Sequence, residues 1–303
     1  MDIQEITLDK GTTTSIHGHI FGLDYIIEEE DYSVKVFIDS HNKRIVVQDY
    51  SGPNIHNLSH RLDYLAREND FDKVFIKAKM DDWEDFITHG YLLEGVFKYY
   101  YSGETAYSIA KFYSKDRRYS EKIEKENEII KKIVHQDPSK LEIEPELSEG
   151  LVMRTATTDD IPKIVQLYDE VFKSYPTPLN KMSYVSTLME YHDVLFKLIL
   201  DGDRIVSAAS ADMDIKNKNA EMTDCATDPQ YRGSGFMSIL MRELEKEIKA
   251  KGIITAYSLA RAQSFGMNNV FYRLGYRYNG RLINNCDIMG SFEDMNLWVK
   301  KIN

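Results

Sequence analysis

The stretch best equipped for chemistry is Asp228-Pro229-Gln230-Tyr231-Arg232-Gly233-Ser234-Gly235-Phe236. Gly233 and Gly235 have no Cβ, so an anionic group can come close to the backbone there. A helical pattern follows over residues 236–251. A helix starting at that point turns unpaired N–H groups, and about half a positive charge, toward the loop. A loop of this kind is a site for a phosphate or pyrophosphate. It is no nucleotide P-loop, because no Gly-Lys-Ser/Thr follows, and the first glycine of a dinucleotide fingerprint is missing. Just upstream, in a stretch that suits a strand (220–226), stand two carboxylates, Glu221 and Asp224. Three residues apart on a strand, they point to opposite faces, so only one can serve a given site unless a bulge intervenes. Cys225 and Cys286 are too few for a disulfide framework and suit a reducing cytoplasm. The eight histidines, His56 and His192 among them, are scattered and show no metal-ligand spacing.

The elements that must position these groups fall into two blocks. In the first, residues 32–38 and 44–47 suit strands, and Ser51-Gly52-Pro53-Asn54 suits a turn. Ile55, Leu58, Leu62 and Leu65 recur at helical spacing. A strand over 73–78, a helix capped by Asp81-Asp82 and ended by Gly90, and a hairpin across Ser102-Gly103-Glu104 complete the block. Residues 119–134 suit a connecting helix with a solvated charged face, and 136–150 a linker. The second block starts at Leu151 with a strand, a helix begun by Thr158-Asp159-Asp160-Ile161-Pro162, and a second short helix. Strands over 196–200, 204–212 and 220–226 lead into the glycine loop. Then come the long helix, a strand over 253–259, a helix over 264–274, a strand over 276–283 and a last one near 287–292. The organisation is therefore an N-terminal α+β domain (1–115), a helix and linker (116–150) and a C-terminal domain (151–303).

Hydrophobic residues make up 43% of the chain, which suits a folded protein with core enough for two domains. No run approaches the ~20 apolar residues of a membrane helix, and residues 1–10 do not resemble a signal peptide. The formal net charge is -11. Residues 1–150 hold 30 acidic and 19 basic side chains, whereas 151–303 hold 19 of each. Acidity argues against nucleic acid or an anionic membrane as partner and suits a cationic small substrate. The neutral second half is the one fitted to a polyanionic ligand.

The loop 228–235 resembles the Gln/Arg-x-x-Gly-x-Gly/Ala motif of the GNAT superfamily of N-acetyltransferases. Val270-Phe271-Tyr272-Arg273-Leu274-Gly275-Tyr276 resembles that superfamily's second signature, at fitting distance. Met222-Thr223-Asp224-Cys225-Ala226-Thr227, Gly266-Met267-Asn268-Asn269 and Leu282-Ile283-Asn284-Asn285 are similar to the β-lysine N6-acetyltransferases, whose product is a neutral compatible solute. The resemblance implies an α+β, layered fold for 151–303, with a mixed, mostly antiparallel sheet flanked by helices. It implies acetyl-CoA as co-substrate, no metal, and a small-molecule amine as acceptor. Lysine, a polyamine or a peptide amine remain alternative acceptors, and acyl-CoA sensing without turnover is an alternative function.

The family reaction is direct attack of an amine on the acetyl thioester, assisted by a general base. Glu221 is favoured as base by its strand position; Asp224 is the alternative, or the group that holds the ammonium. Tyr272 matches the tyrosine that protonates the leaving thiolate. Cys225, Ala226 and Thr227 would pair with the pantetheine arm through their backbone, which leaves Cys225 a packing residue rather than a nucleophile. Gln230, Arg232, Gly233, Ser234, Gly235 and Phe236 would surround the pyrophosphate. The family's asparagine seven residues before the tyrosine is replaced by Phe265, so Asn268 becomes the cofactor-binding candidate on that helix. Arg261, Asn284 and Asn285 are candidates for the substrate carboxylate. The first block repeats the element order of the later half of the second and suits a degenerate GNAT-like domain that has lost its loop. It could complete the substrate pocket or form a homodimer contact.

Overall fold

The computed structural model describes residues 3–17, 21–137, 145–173, 175–191 and 193–302. His192 and part of the expected linker lie outside them. The first half contains β1 (Ile3–Asp9), β2 (Thr12–His17), β3 (Gly22–Glu28), β4 (Ser33–Asp39), β5 (Arg44–Ser51), α1 (Ile55–Glu68), β6 (Lys73–Ala78), α2 (Trp83–Thr88), β7 (Leu92–Tyr101) and β8 (Glu104–Phe112). Two helices, α3 (Lys115–Arg118) and α4 (Ile123–Val134), connect it to the second half. There follow β9 (Leu151–Thr155), α5 (Ile161–Val171), α6 (Met182–Tyr191), β10 (Val194–Asp201), β11 (Arg204–Asp214) and β12 (Asn219–Thr227). The chain closes with α7 (Phe236–Ala250), β13 (Thr255–Arg261), α8 (Phe265–Arg273), β14 (Arg277–Ile288) and β15 (Ser291–Lys301).

Thirteen strands form one sheet in the order β3-β4-β5-β6-β8-β7-β14-β15-β13-β12-β11-β10-β9, and β1 and β2 pair separately. Among the described residues only β5–β6 and β12–β13 run parallel, each step crossed by a helix as parallel neighbours require. The order β3-β4-β5-β6-β8-β7 in the first half matches β10-β11-β12-β13-β15-β14 in the second. Alternation on β6 shows how the layers arise: Val74, Ile76 and Ala78 pack in the core with α1, whereas Phe75 packs with Tyr257, Leu282 and Leu297 of the second half. On α7, Phe236, Met237, Leu240, Met241, Leu244 and Ile248 form the stripe that fixes the long helix to the sheet.

The halves meet where β7 touches β14 at Gly95 and Gly280. A Cβ on Gly280 would stand 2.3 Å from Gly95 Cα, so glycine is required for the backbones to approach. Beside them Lys73, wholly buried, pairs with Glu94 at 3.0 Å and donates to the Ile283 carbonyl at 2.9 Å. Burial pushes the Lys73 ammonium down to about 8 and the Glu94 carboxyl up, with each partner opposing the other's shift. Lys73→Met should destabilise the protein by about 3–5 kcal/mol, because it leaves a buried carboxylate unpaired. Urea denaturation measures this, and a Lys73→Met/Glu94→Met double variant should recover much of the loss.

Three expectations need correction. Ile3–Asp9, Thr12–His17 and Gly22–Glu28 are strands that alternation had not marked as such: Ile6, Leu8, Ile16 and Ile27 enter the first-half core at spacings too irregular to stand out. The strand expected near 287–292 is instead the end of β14 and the start of β15. β14 runs through the asparagines as a bulge, with Asn284 at φ 42, and the reversal comes at Met289-Gly290, both at positive φ. The charges of α4 are not all solvated, since Glu126 is buried against Arg281 at 3.4 Å.

Candidate active site

Strand β12 decides the geometry. It pairs with β13 only from Asn219↔Thr255 to Glu221↔Tyr257 and then parts from it. On its other side the ladder with β11 steps from Ser210↔Thr223 to Ala208↔Ala226, three residues of β12 against two of β11. The extra residue is a bulge, and Asp224 within it sits at φ 51. A bulge reverses the alternation, so Glu221 and Asp224 face the same side. Asp212 stands directly opposite Glu221 on β11. Three carboxylates thus gather at the mouth of the parting, and carboxylates facing each other across strands repel unless a cation joins them.

Asp224 is buried. Its Oδ2 accepts from Ser210 Oγ at 2.7 Å, and its carbonyl accepts from the Tyr168 hydroxyl. Burial pushes its carboxyl up to about 7; the Ser210 hydrogen bond opposes this, and the charges of Glu221 and Asp212 add to it. Burial also raises Glu221, against the attraction of the Lys77 ammonium. Ser210, Asp212, Tyr168, Tyr175 and Lys77 were not singled out by sequence. The i, i+2 spacing of Ser210 and Asp212 on an otherwise Ala-rich strand was a readable signal. The Lys77 contact crosses the seam between halves and had none.

Below the parting lies the loop. The Asp228 side chain accepts from Gln230 N at 2.9 Å and pairs with Arg204 at 2.5 Å, and the Tyr231 hydroxyl donates to Asp201 at 2.5 Å. These bonds anchor the loop to β10 and β11. Gly233 and Gly235 sit at φ 87 and 79, which only glycine adopts without strain. Among the described residues, the N–H groups of 233–238 find no hydrogen-bond partner, while Ile239 N is the first to bond back, to Gly235 O. Gly233 and Ser234 are exposed. A cradle of free amides at a helix N-terminus fits a pyrophosphate, and the parted strands leave room for an extended arm beside Cys225, Ala226 and Thr227. The Cys225 thiol donates to Thr223 O at 3.5 Å and burial pushes it far up, which suits packing rather than nucleophilic attack. Arg232 donates to Thr227 O at 3.4 Å, and Phe236 is buried in the α7 stripe.

These features mark the segment 152–278, which matches the family model described as acetyltransferase (GNAT) domain. N-acetyltransferase YodP of Bacillus subtilis is 38% identical over 264 residues, covering 87% of this chain and 94% of that protein. The chain belongs to the GNAT acetyltransferase family. A β-lysine N(6)-acetyltransferase of Methanococcus maripaludis is 35% identical over 280 residues, covering 92% of this chain and 99% of that one. Among solved structures, the ribosomal-protein-S18-alanine N-acetyltransferase of Escherichia coli shares 18% identity over 50% of this chain and 94% of its own, with a TM-score of 0.44. The protein is therefore an acetyl-CoA-dependent N-acetyltransferase with the α+β GNAT fold, preceded by an additional β-rich half.

Other residues of this GNAT chain lie apart from the carboxylate cluster. The Tyr272 hydroxyl donates to the carbonyls of Val134 at 3.2 Å and Gln136 at 3.5 Å, at the end of α4. Asn268 is wholly buried, donating to the Arg261 and Ser264 carbonyls and accepting from Asn296 and Trp298. Arg261 approaches Met289 Sδ and Glu293. Asn284 donates to the carbonyls of Asp116, Arg117 and Tyr119, while Asn285 receives Arg44 and Arg117 on its carbonyl. The asparagine pair thus ties the second half to α3 and β5. Among the described residues no group of His, Cys, Asp and Glu side chains is placed to hold a metal ion, and no helix is long and apolar enough to cross a membrane.

Proposed function

We propose that the protein acetylates the terminal side-chain amine of β-lysine, with Asp224 as the general base, and works in the cytoplasm to make a neutral compatible solute. The bulge at Asp224 carries this reading. It sets a buried, readily protonated carboxylate beside two more carboxylates at the mouth of the β12–β13 parting. Acetyl-CoA supplies the activated acetyl group. Residues 230 and 232–236 hold its pyrophosphate, and the backbone of 225–227 holds its pantetheine arm. Asp212 and Glu221 draw in an ammonium, and Asp224 takes its proton as nitrogen attacks. This moves the base from Glu221, where strand position alone had put it, to its neighbour. Tyr272 is placed as proton donor to the leaving sulfur by family resemblance. The internal bonds of Asn268, Asn284 and Asn285 suit positioning roles better than direct ligand contact.

The relatives named for β-lysine support the acceptor. The first half is read as a degenerate GNAT-like domain, supported by its matching strand order. In it the site equivalent to the parting is plugged. The Tyr50 hydroxyl accepts from Lys79 N at 2.9 Å and donates to Asp82 at 2.8 Å, and Asn54 caps α1.

Release of free thiol from acetyl-CoA should follow addition of β-lysine, at a kcat/KM well above that for lysine, a polyamine or a peptide amine. Release with another of these amines alone would overturn the acceptor, and none with any amine would favour acyl-CoA sensing.

A further inference from the structure

Strand β6 and the residue after it send three lysines, Lys73, Lys77 and Lys79, to the region where the halves meet or to its margin. Two are committed: Lys73 to Glu94, and Lys79 to the Tyr50 carbonyl at 2.7 Å and the Tyr50 ring. Lys77 differs. Its ammonium stands 5.6, 5.0 and 5.5 Å from the ring centroids of Phe97, Tyr100 and Tyr257. Among the described residues no carboxylate lies within 4.0 Å of it. Tyr257 is the ladder partner of Glu221, so the aromatic box opens onto the carboxylate cluster. The Tyr101 hydroxyl donates to the Lys77 carbonyl at 2.6 Å, and Asn219 of β12 donates to the Tyr100 carbonyl at 2.9 Å. The strand and its box are thereby fixed to the second half. The other cation here, Arg44, is taken up by Asp39 at 2.8 Å and the Asn285 carbonyl at 2.9 Å.

A permanent cation beside an amine-binding site is a handicap for an acceptor that carries only positive charge, since like charges repel. It becomes an asset when the acceptor also carries an anion. The rings hold the ammonium by their π faces, and Glu221 and Asp212 attract it only from beyond ion-pair distance, so a carboxylate can still approach it directly. We propose that Lys77, contributed by the first half, recognises the acceptor's carboxylate and makes the site selective for a diamino acid over a simple diamine. Asp212, Glu221 and Asp224 face the two amines, and Lys77 faces the carboxylate at the seam. The first half is then part of the acceptor pocket. This rests on the reading of the site as an amine acetyltransferase.

The test compares β-lysine with the diamine left when its carboxyl group is removed, in the full-length wild type, Lys77→Met and Lys77→Arg. In wild type, kcat/KM should favour β-lysine. Lys77→Met should raise the KM for β-lysine about 30-fold or more, as expected when one side of a desolvated charge pair is removed. The KM for the simple diamine should stay level or fall, and the KM for acetyl-CoA should be unchanged, which also shows that the variant is folded. Lys77→Arg should retain most of the preference. An equal loss for both diamines, or a wild type indifferent to the carboxylate, would overturn the proposal. Titration calorimetry of both diamines repeats the comparison without turnover. A wild type that releases no thiol would refute the acetyltransferase reading, while the binding preference would still decide the role of Lys77.

Discussion

Replacing Asp224 with Asn should lower kcat/KM by about 10²–10⁴-fold, the range a positioned base supplies, with the KM for acetyl-CoA little changed. An aliphatic ammonium near pKa ~10.4 resists deprotonation at pH 7 by roughly 4–5 kcal/mol. A carboxylate with an ordinary pKa is a poor acceptor for that proton. Asp224 is pushed up to about 7 by burial, reinforced by Glu221 and Asp212, and is better matched. The base works ionised, so the wild-type rate should rise with pH through about 7, and the Asn variant should lack that limb. Glu221→Gln should cost less and shift the limb to lower pH, because a negative neighbour is gone. If instead Glu221→Gln abolishes the limb and Asp224→Asn keeps it, the base is Glu221.

The same shift bears on stability. Asp224 moves from 3.8 to about 7 on folding. Its protonation supports the fold fully below the unfolded value, and that support is lost as pH rises through the folded one. At pH 8 the native protein therefore holds an ionised carboxylate at a cost. Asp224→Asn should be more stable than wild type there by about 1–3 kcal/mol, with a smaller gain at pH 5. Urea denaturation at the two pH values measures the difference. A variant slower but more stable would mark the carboxylate as held for chemistry rather than for folding.

Gly233→Val carries the other large effect. A Cβ at this position meets nothing within 4 Å, so the fold has room for it. The φ of 87 imposes strain on any other residue, of about 1–2 kcal/mol. More importantly, the side chain would stand where a pyrophosphate must approach the amides of 233–238. Losing two charge-assisted hydrogen bonds, each about 1.5–3 kcal/mol, should raise the KM for acetyl-CoA about 10²-fold or more, with kcat at saturation much less affected. Gly235→Val would be less informative, since its Cβ would lie 2.5 Å from Pro145 Cβ and disturb the loop itself. Unchanged acetyl-CoA kinetics in the Gly233 variant would show that the cofactor binds elsewhere.

Local patterns were legible because they rest on local physics. The apolar stripe of α7 and the glycines before it follow from helical periodicity and backbone freedom within a few residues, whereas the expected cap at Asp81-Asp82 makes no side-chain bond and Asn54 caps α1 instead. The turn at Ser102-Gly103 was legible for the same reason. The Asn284-Asn285 bulge was not. Asparagine tolerates positive φ in a turn and in a bulge alike, and the difference lies in partners from α3 and β5 far away in sequence. The buried charge of Glu126 likewise depends on Arg281, 155 positions on.

The sequence alone determined that a glycine loop fitted to an anion precedes a long helix, that two carboxylates stand on the strand before it, and that the first block echoes the later half of the second. Each is a matter of residue type and short spacing. Tertiary structure alone decided that the two carboxylates share a face, since the bulge that reverses their alternation is defined only by the β11 ladder. It also decided that a third carboxylate faces them and that a lysine from the other half of the chain looks onto them from an aromatic box. The lysine stands more than a hundred positions before the carboxylates it looks onto. It reaches them because a single sheet continues across two glycines at the seam.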